Sequence, residues 1–255
     1  MPIIRPMAPV KSALRTLEIL EFFAQAKGPA SVMEVSISLG YPQSSASMLL
    51  GTLEQQGYLH FDRERRAYAP TMRLMLMHTQ TRLHTYSAEL LRVVGRLNKS
   101  LRQTVVLGMR HGVHVRQLYS IQGDNPNPAH MPDGTLRPIG RSALGKVLLA
   151  SLDEDEAARI IRAANATATR ASEKVSAMAL MAELKQVRET GWATAIDYPV
   201  PDRASLGVLL PRIPNHPPIA MSLGLRKSVL RSRQQEFLAA LAGATKELAG
   251  VARRM

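Results

Sequence analysis

The sequence contains no cysteine among its 255 residues. Disulfide bonds and thiolate metal sites are therefore excluded, which fits a reducing compartment. No segment approaches the roughly 20 apolar residues that a membrane-spanning helix requires. The first residues, MPIIRPMAPVK, lack the long apolar core and the small-residue cleavage site of a signal peptide. We therefore expect a cytoplasmic protein with no membrane partner.

Motifs of hydrolases and of metal sites are also missing. No G-x-S-x-G nucleophile elbow is present. His78 and His84 are six residues apart, which is not the four-residue spacing that places two ligands on one helix face. His111 and His114 flank a Gly-Val pair whose spacing a turn explains. The sequence predicts no catalytic residue, no metal and no cofactor.

The length of the chain fits one large domain or two ordinary ones, and its charge favours a polyanionic partner. Apolar residues make up 45% of the sequence, the formal net charge is +13 and the pI is about 10.6. The excess charge is spread unevenly, because residues 1–75 carry a net charge of +2 and residues 201–255 carry +6. Bulk charge therefore supports nucleic acid only weakly, and a nonspecific nucleoid-type binder is one alternative.

Residues 31–69 have the pattern of a helix-turn-helix followed by a basic hairpin. Ser31 is suited to cap a first helix, which Gly40 ends. Tyr41-Pro42 turns the chain, and the second helix stops at Gly57. The apolar residues of that helix recur at i, i+3, i+4 and i+7, namely Ala46, Leu49, Leu50 and Leu53. Such a helix can place its first residues in the DNA major groove.

The opposite face of this second helix is free to read DNA. It carries Gln43, Ser44, Ser45, Ser47, Met48 and Thr52. Hydroxyl and amide groups can bond base edges or phosphates, and a thioether can contact a thymine methyl group. Because the face has no Arg or Lys, we expect phosphate anchoring from nearby cations. These are Lys11, Arg15, Arg63, Arg65, Arg66 and Arg73. An ordinary helical hairpin with a solvated serine face is the alternative.

The regions around this motif divide the rest of the chain. Residues 1–9 contain three prolines and are predicted to form a flexible arm before a winged helix-turn-helix domain at 10–70. The domain opens with a helix whose apolar stripe comprises Leu14, Leu17, Leu20 and Phe23. We predict a linker helix at 71–85 and an effector-binding domain at 86–255. Strand-like runs and helices alternate there around a loop at 122–134, which indicates an α+β sheet domain. Two of these runs flank His111-Gly112 as a hairpin, another spans residues 205–212, and one helix ends at Gly191.

Two segments resemble the IclR family of bacterial transcription regulators. SASMLLGTLEQQGYL lies in the N-terminal region, and RPIGRSALGKVLLA spans residues 137–150. A third, weaker match is GWATAID at 191–197. The resemblance implies a winged helix-turn-helix domain, a linker helix and a GAF-like antiparallel-sheet effector domain. It also implies a homodimer or homotetramer on double-stranded, palindromic operator DNA, with a small organic acid as effector, aromatic acids included.

The chain also departs from the family pattern. Met48 stands where the family usually has arginine in the recognition helix, and Gly140 replaces a common histidine. The usual acidic cluster after the glycine-aromatic pair is reduced to Asp197 with Tyr198. Neither the usual operator preference nor the identity of an effector can therefore be transferred to this chain.

Residues 140–146 nearly spell the phosphate-binding pattern G-x-x-x-x-G-K. The next residue is Val147, where Ser or Thr would hold magnesium. A nucleotide-binding enzyme or hydrolase with a DNA-binding head is thus a second alternative. We favour a helix N-terminus whose free amides bind a carboxylate. The resemblance then implies an effector site at Arg141, Ser142, Ala143 and Leu144, with further candidates Tyr119, Trp192, Asp197, Ser205 and Ser222.

Overall fold

A computed structural model describes residues 10–26, 28–76, 83–124 and 132–254 of the chain. The chain forms two compact units, residues 1–84 and 85–255. The predicted flexible arm at 1–9 and part of the predicted linker helix, residues 77–82, lie outside the described residues. None of the described helices is long and apolar enough to cross a membrane.

The first unit is a helical bundle with a two-stranded antiparallel wing. Its elements are α1 Lys11–Gln25, α2 Val32–Leu39, α3 Gln43–Gln55, β1 Leu59–Asp62, β2 Ala67–Pro70 and α4 Met72–Leu76. The predicted cap is confirmed, because Ser31 and Glu34 form a reciprocal capping box at the start of α2. The hydrogen bonds from Ser31 lower the pKa of Glu34. Gly40 ends α2 in the left-handed conformation, with φ of 68°.

The core of this unit corrects one prediction from the sequence. Ile19 and Phe23 are the buried residues of α1, whereas Leu14 and Leu17 are exposed. The predicted leucine stripe was therefore wrong at its amino end. The apolar residues of α1 lie along two adjacent faces of the helix. The face that packs on α2, α3 and the wing is the one that is buried in the core. In α3, Ala46, Leu50 and Leu53 are buried, which the helical spacing predicted.

The second unit contains one six-stranded antiparallel sheet with the strand order β5-β4-β3-β8-β7-β6. Its strands are β3 Thr104–His111, β4 His114–Ile121, β5 Leu136–Pro138, β6 Trp192–Ile196, β7 Arg203–Leu209 and β8 Ile219–Arg226. Its helices are α5 Leu83–Leu101, α6 Ala143–Ala150, α7 Glu154–Thr167, α8 Ala177–Thr190 and α9 Lys227–Ala252. With the helix-turn-helix unit, this sheet confirms the predicted α+β class.

Each face of the sheet carries its own core. One face packs on α5 and α9 through residues such as Leu107, Leu206, Leu223 and Phe237. The other face packs on α6, α7 and α8. Successive residues of a strand point to opposite faces. Leu206 of β7 and Leu223 of β8 therefore lie in the first core, while their neighbours Ser205 and Ser222 point to the second face.

A β-bulge in β4 changes which side chains reach each face. Leu107 of β3 is paired with Tyr119, but the next residue, Gly108, is paired with Gln117. Leu118 is the extra residue, and the alternation of faces reverses across it. Gln117 consequently points to the face that carries α6, while Tyr119 packs against the α5–α9 core.

The segment before β5 was predicted to be a loop at 122–134. Residues 125–131 lie outside the described part of the chain, and the flanking residues 122–124 and 132–135 form no helix or strand. Asn98 of α5 donates its side-chain amide to the carbonyl oxygen of Gln122 at 2.9 Å. The Gly134 amide donates to the carbonyl oxygen of Gln117 at 2.8 Å. Both ends of the segment are thus attached to the sheet unit.

Candidate functional site

The polar face of α3 lies on the surface of the first unit. Met48 is 69% exposed, and Gln43, Ser44, Ser47 and Thr52 are also exposed. Ser45 is half-buried, since it lies beside the buried Ala46. The Thr52 hydroxyl donates to the Met48 carbonyl oxygen at 2.8 Å, so its oxygen is left to accept a hydrogen bond from a partner. The first turn of α3 therefore presents short polar groups and one thioether to solvent.

Two of the predicted phosphate-binding arginines are positioned by aromatic rings. The guanidinium carbon of Arg15 lies 4.8 Å from the centroid of the Tyr41 ring, and that of Arg73 lies 4.8 Å from the Tyr58 ring. The Tyr41 hydroxyl in turn donates to Glu18. Cation–π contacts fix a guanidinium group while leaving its N–H groups available. Lys11 is exposed at the start of α1.

The tip of the wing is a short turn that exposes Arg63, Arg65 and Arg66. The Asp62 carboxylate accepts hydrogen bonds from the amides of Glu64 and Arg65, at 2.9 and 3.1 Å. The side chain of Arg65 is 73% exposed and lies 3.8 Å from the same carboxylate, which is a weak surface pair. The turn therefore leaves the arginine groups accessible to a polyanion.

The second unit contains a cavity between one end of the sheet and the start of α6. It is lined by Thr104, Val106, Val115, Gln117, Arg137, Ser142, Leu144, Tyr198, Pro199, Arg203, Ala204, Ser205, Ser222 and Gly224. We call this space the effector cavity. The empty space between its lining atoms is about 710 Å³, part of which opens to solvent.

The buried polar residues of the described chain all meet at this cavity. They are Thr104, Gln117, Ser142 and Ser222, which are between 3% and 7% exposed. Thr104 and Ser142 accept hydrogen bonds from the amides of Gly123 and Gly145, at 3.1 and 3.0 Å. Ser222 makes no side-chain hydrogen bond to any residue that the structure describes. Because Ser222 lines the cavity, its hydroxyl can bond a ligand there.

The residues that line the effector cavity carry a net positive charge. Arg137 and Arg203 line it, and no Asp or Glu is among its lining residues. The structure describes no ion pair between Arg203 and a carboxylate. Arg137 hydrogen-bonds to the Tyr198 hydroxyl, and burial raises the pKa of that hydroxyl. The phenol is therefore neutral near pH 7, and the cavity suits an anion with an apolar body.

Four of the predicted effector residues line this cavity: Ser142, Leu144, Ser205 and Ser222. Ala143 is fully buried, because Gly207 of β7 lets the backbone of α6 approach the sheet there. Arg141 does not line the cavity but lies with its guanidinium carbon 5.5 Å from the Tyr198 ring centroid. These two residues flank the cavity from the α6 side.

The remaining three predicted effector residues lie away from the cavity, each for a definable reason. Tyr119 is turned to the other face of the sheet by the β4 bulge. Trp192 alternates with the buried Ala193 and packs on the α5–α9 core. Asp197 is exposed and bonds Lys227 and the Asp202 amide, and the hydrogen bond from Lys227 lowers its pKa. The structure does not bring these three together with the cavity.

The sequence reading missed the charged and aromatic members of the cavity. Arg203 was overlooked because the strand was expected to begin at Ser205, whereas β7 begins at Arg203. With the correct start, two-residue alternation places Arg203 and Ser205 on one face. Arg137 lies on the short edge strand β5, and Tyr198 lies in the loop between β6 and β7. No local pattern in the sequence links these segments.

Residues 140–146, which resemble a phosphate-binding loop, bring α6 into close contact with the segment that follows β5. A side chain at Gly145 would place its Cβ 1.8 Å from the carbonyl oxygen of Ile139, so this glycine permits a close backbone contact. The Lys146 ammonium group donates to Glu183 and to the Thr194 carbonyl oxygen, at 2.6 and 2.8 Å. Its charge is therefore engaged by the protein, and the geometry gives the nucleotide-binding alternative no support.

Histidine and carboxylate side chains do not gather into a metal site in the parts of the chain that the structure describes. His111 and His114 are paired across the hairpin between β3 and β4, and Gly112 has φ of 59°. The hairpin predicted there is confirmed, and it accounts for the spacing of the two histidines.

Comparisons with known proteins match both units. The model of the IclR helix-turn-helix domain matches residues 12–63, and the model of the bacterial transcriptional regulator IclR C-terminal domain matches residues 81–249. The chain is 28% identical over 195 residues to the HTH-type transcriptional regulator XynR of Escherichia coli (strain K12). That alignment covers 72% of this chain and 73% of XynR. This chain is also 23% identical over 198 residues to the transcriptional repressor IclR of the same strain, over 72% of this chain and 68% of that protein.

Solved structures share the fold. An IclR transcriptional regulator from Alicyclobacillus acidocaldarius superposes with a TM-score of 0.70 at 20% identity, over 96% of this chain and 100% of that one. An IclR homolog from Microbacterium hydrocarbonoxydans, complexed with 4-hydroxybenzoate, also has a TM-score of 0.70, at 16% identity and the same coverage.

Proposed function

Because the chain belongs to the IclR family of bacterial transcriptional regulators, we propose that a small organic acid in the effector cavity controls its binding to operator DNA. The coarse assignment follows from the family: a transcriptional regulator with a helix-turn-helix DNA-binding domain and a C-terminal effector domain. The finer proposal concerns which surface holds DNA, which ligand the cavity takes and how the two are connected.

The DNA-binding half of the proposal rests on exposed side chains of α3 and the wing. The exposed face from Gln43 to Thr52 enters the major groove, where Ser44 and Ser47 bond base edges and Met48 contacts a thymine methyl group. Basic groups on both sides supply the phosphate contacts. Lys11, Arg15, Arg63, Arg65, Arg66 and Arg73 form this set. Specificity then depends on hydrogen bonds and shape, because α3 contributes no positive charge.

The effector half is carried by the convergence of every described buried polar residue on one positive cavity. Arg203 binds the carboxylate of the effector, and Val106, Val115 and Leu144 contact its apolar body. The Ser222 hydroxyl bonds a polar group at the far end of the ligand. The neighbour complexed with 4-hydroxybenzoate supports testing hydroxylated aromatic acids first.

Regulation requires that the ligand distinguish two arrangements of the protein. We propose a homodimer or homotetramer in which effector binding changes the spacing of paired DNA-binding units. A ligand can shift such an equilibrium only by its difference in affinity for the two states. Operator half-sites one helical turn apart would be read by two copies of α3.

The test measures ligand binding and DNA binding on one full-length protein. Calorimetry with 4-hydroxybenzoate and with phenol, its counterpart without a carboxylate, compares wild-type protein with Arg203→Gln and with the control Arg212→Gln. Arg212 is exposed and does not line the cavity. We expect Arg203→Gln to weaken binding of the acid about tenfold or more, since a charge-assisted hydrogen bond contributes roughly 1.5 to 3 kcal/mol.

The same acid should change the affinity for operator DNA in a footprinting titration. If a panel of aliphatic and aromatic carboxylates produces no binding heat and no change in the footprint, the effector half of the proposal is wrong. If the footprint does not depend on DNA sequence, the regulator binds as a nonspecific nucleoid protein and the operator half is wrong.

A further inference from the structure

A second concave surface lies beside Tyr198. We call it the outer groove. It is lined by Gly140, Arg141, Lys146, Lys174, Val175, Ser176, Ala179, Leu180, Glu183, Ala195, Ile196 and Tyr198. The empty space between these residues is about 700 Å³, including space open to solvent. Tyr198 is the residue that borders both the outer groove and the effector cavity.

The charges of the outer groove are unbalanced. Three cations line it, Arg141, Lys146 and Lys174, against one carboxylate, Glu183. Lys146 and Glu183 form an ion pair at 2.6 Å, and the Lys146 side chain is only 14% exposed. This pair neutralises itself. Within the described residues, neither Arg141 nor Lys174 forms an ion pair with a carboxylate, so two positive charges remain for a ligand.

The neighbouring carboxylate of Glu173 carries one negative charge but forms no ion pair with Arg141 or Lys174 among the described residues. Glu173 precedes Lys174, but its carboxylate accepts hydrogen bonds from the amide and the hydroxyl of Thr169, at 3.1 and 3.4 Å. Glu173 lines a different, smaller depression beside α7. The Arg141 guanidinium is held against the Tyr198 ring by a cation–π contact, which fixes its plane and leaves its N–H groups available.

A third favourable feature is the start of α8. Ser176 caps this helix by accepting a hydrogen bond from the Ala179 amide at 3.3 Å, and both residues line the groove. The earliest amides of a helix have no partner within it, and they carry partial positive charge. The groove therefore combines a planar guanidinium group, a flexible ammonium group and a helix N-terminus around one open space.

We propose that the outer groove binds a phosphoryl group, either inorganic phosphate or the phosphate of a small phosphorylated metabolite. A phosphate carries about −1.5 to −2 charge near pH 7, which matches two unpaired cations better than a single carboxylate does. Arginine contacts phosphate with two parallel hydrogen bonds, and lysine contacts it as a point charge. This site is separate from the effector cavity and goes beyond the proposed function, because two cations without a carboxylate partner face its open space.

Calorimetry on the full-length protein tests the proposal directly. The probes are inorganic phosphate, glycerol 3-phosphate and, as the uncharged match, glycerol, with ionic strength held constant by sodium chloride. We expect both phosphates to bind and glycerol not to bind. Lys174→Gln and Arg141→Gln should each weaken phosphate binding about tenfold, as expected for loss of one charge-assisted hydrogen bond.

Lys185→Gln is the matched control, because Lys185 is exposed on α8, which borders the groove, but does not line the groove. Lys174 is also exposed, so its substitution should leave the melting temperature unchanged. Tighter binding of glycerol 3-phosphate than of phosphate would identify a phosphate ester as the ligand, and equal binding would identify the free ion. Absence of phosphate binding to the wild type, or equal weakening by Lys185→Gln, would overturn the proposal.

Discussion

The two units of the chain present their functional groups in opposite ways. The first unit displays polar side chains on the outside of α3 and on the tip of the wing. The second unit gathers buried polar side chains around a cavity. Charge does not follow this division, because residues 1–84 carry nine basic and six acidic side chains and residues 85–255 carry 24 and 14. The more basic unit is the one with the cavity, so local placement identifies the candidate DNA surface better than net charge does.

Gly145→Ala should have the largest effect, because it should destabilise the second unit and leave the first unit unchanged. Its Cβ would lie 1.8 Å from the Ile139 carbonyl oxygen, so α6 would have to move away from the segment that follows β5. We expect a loss of more than about 3 kcal/mol in the free energy of unfolding, at the upper end of overpacking effects. Denaturant unfolding followed by the fluorescence of Trp192, the single tryptophan, reports on this unit.

The control for that experiment is Gly95→Ala in α5, where an added Cβ meets nothing within 4 Å. Alanine should stabilise that helix by about 0.5 to 1 kcal/mol. An unchanged unfolding midpoint in Gly145→Ala would mean that the close contact between α6 and Ile139 does not exist in solution.

Substitution of the wing arginines tests the functional side of the first unit. The double change Arg63→Ala and Arg65→Ala should lower affinity for every DNA sequence about tenfold to a hundredfold, by removing phosphate interactions. The slope of log affinity against log salt should become shallower by about one for each phosphate that is no longer neutralised. Anisotropy titrations at several salt concentrations measure both quantities. An unchanged slope would remove these arginines from the interface.

Tyr86→Phe should act in the opposite direction and stabilise the second unit. Tyr86 is 2% exposed, and its hydroxyl has no hydrogen-bond partner among the described residues. Removing an unsatisfied buried hydroxyl should raise the free energy of unfolding by roughly 1 to 2 kcal/mol.

The pH dependence of Tyr86→Phe provides a second readout. Burial raises the pKa of Tyr86 to about 12, above its ordinary value of 10.0. The folded state therefore keeps the phenolic proton longer than the unfolded state does. The stability that this difference in pKa gives the folded state is fully present below pH 10, and it is lost as the pH rises through about 12. In Tyr86→Phe this part of the alkaline destabilisation should vanish, and an unaltered alkaline profile would contradict the assignment.

The smallest expected effect concerns the cap of α2. Ser31→Ala removes the side chain that accepts from the Glu34 amide and breaks the capping box. We expect a cost of about 0.5 to 1 kcal/mol, confined to the first unit. Hydrogen exchange of residues 32–39 should accelerate a few-fold. Ser38→Ala, exposed near the end of the same helix, should leave exchange unchanged or slower, and equal acceleration in both variants would rule out a capping effect.

The same contrast explains how far the sequence could predict the structure. Elements marked by local chemistry were predicted well, since Ser31, Gly40 and Gly191 terminate helices by rules that depend on a few neighbours. The exposed face of α3 followed directly from helical periodicity. Leu14 and Leu17 were misassigned because a leucine stripe does not reveal which side of a helix the core will choose.

The effector cavity was only partly predictable, because its residues come from segments far apart in sequence. Ser142, Leu144, Ser205 and Ser222 were found through the resemblance, but Thr104, Gln117, Arg137 and Tyr198 meet them only in the folded sheet. Arg203 was missed because the sequence predicted that β7 begins two residues later than it does. The hydrogen bond between Arg137 and Tyr198 joins a strand at one edge of the sheet to a loop beside the other, and no short pattern encodes it.

The bulge at Leu118 makes the length of β4 as important as its composition. Because Leu118 is the extra residue, its deletion would join Gln117 directly to Tyr119 and leave both side chains on the faces that they now occupy. Loss of the bulge with Leu118 retained would instead turn Tyr119 and Ile121 toward the ligand space and Ser120 toward the apolar core, although no residue had been replaced. We therefore expect β4 to tolerate deletion of Leu118 better than any change that pairs Leu118 into the ladder.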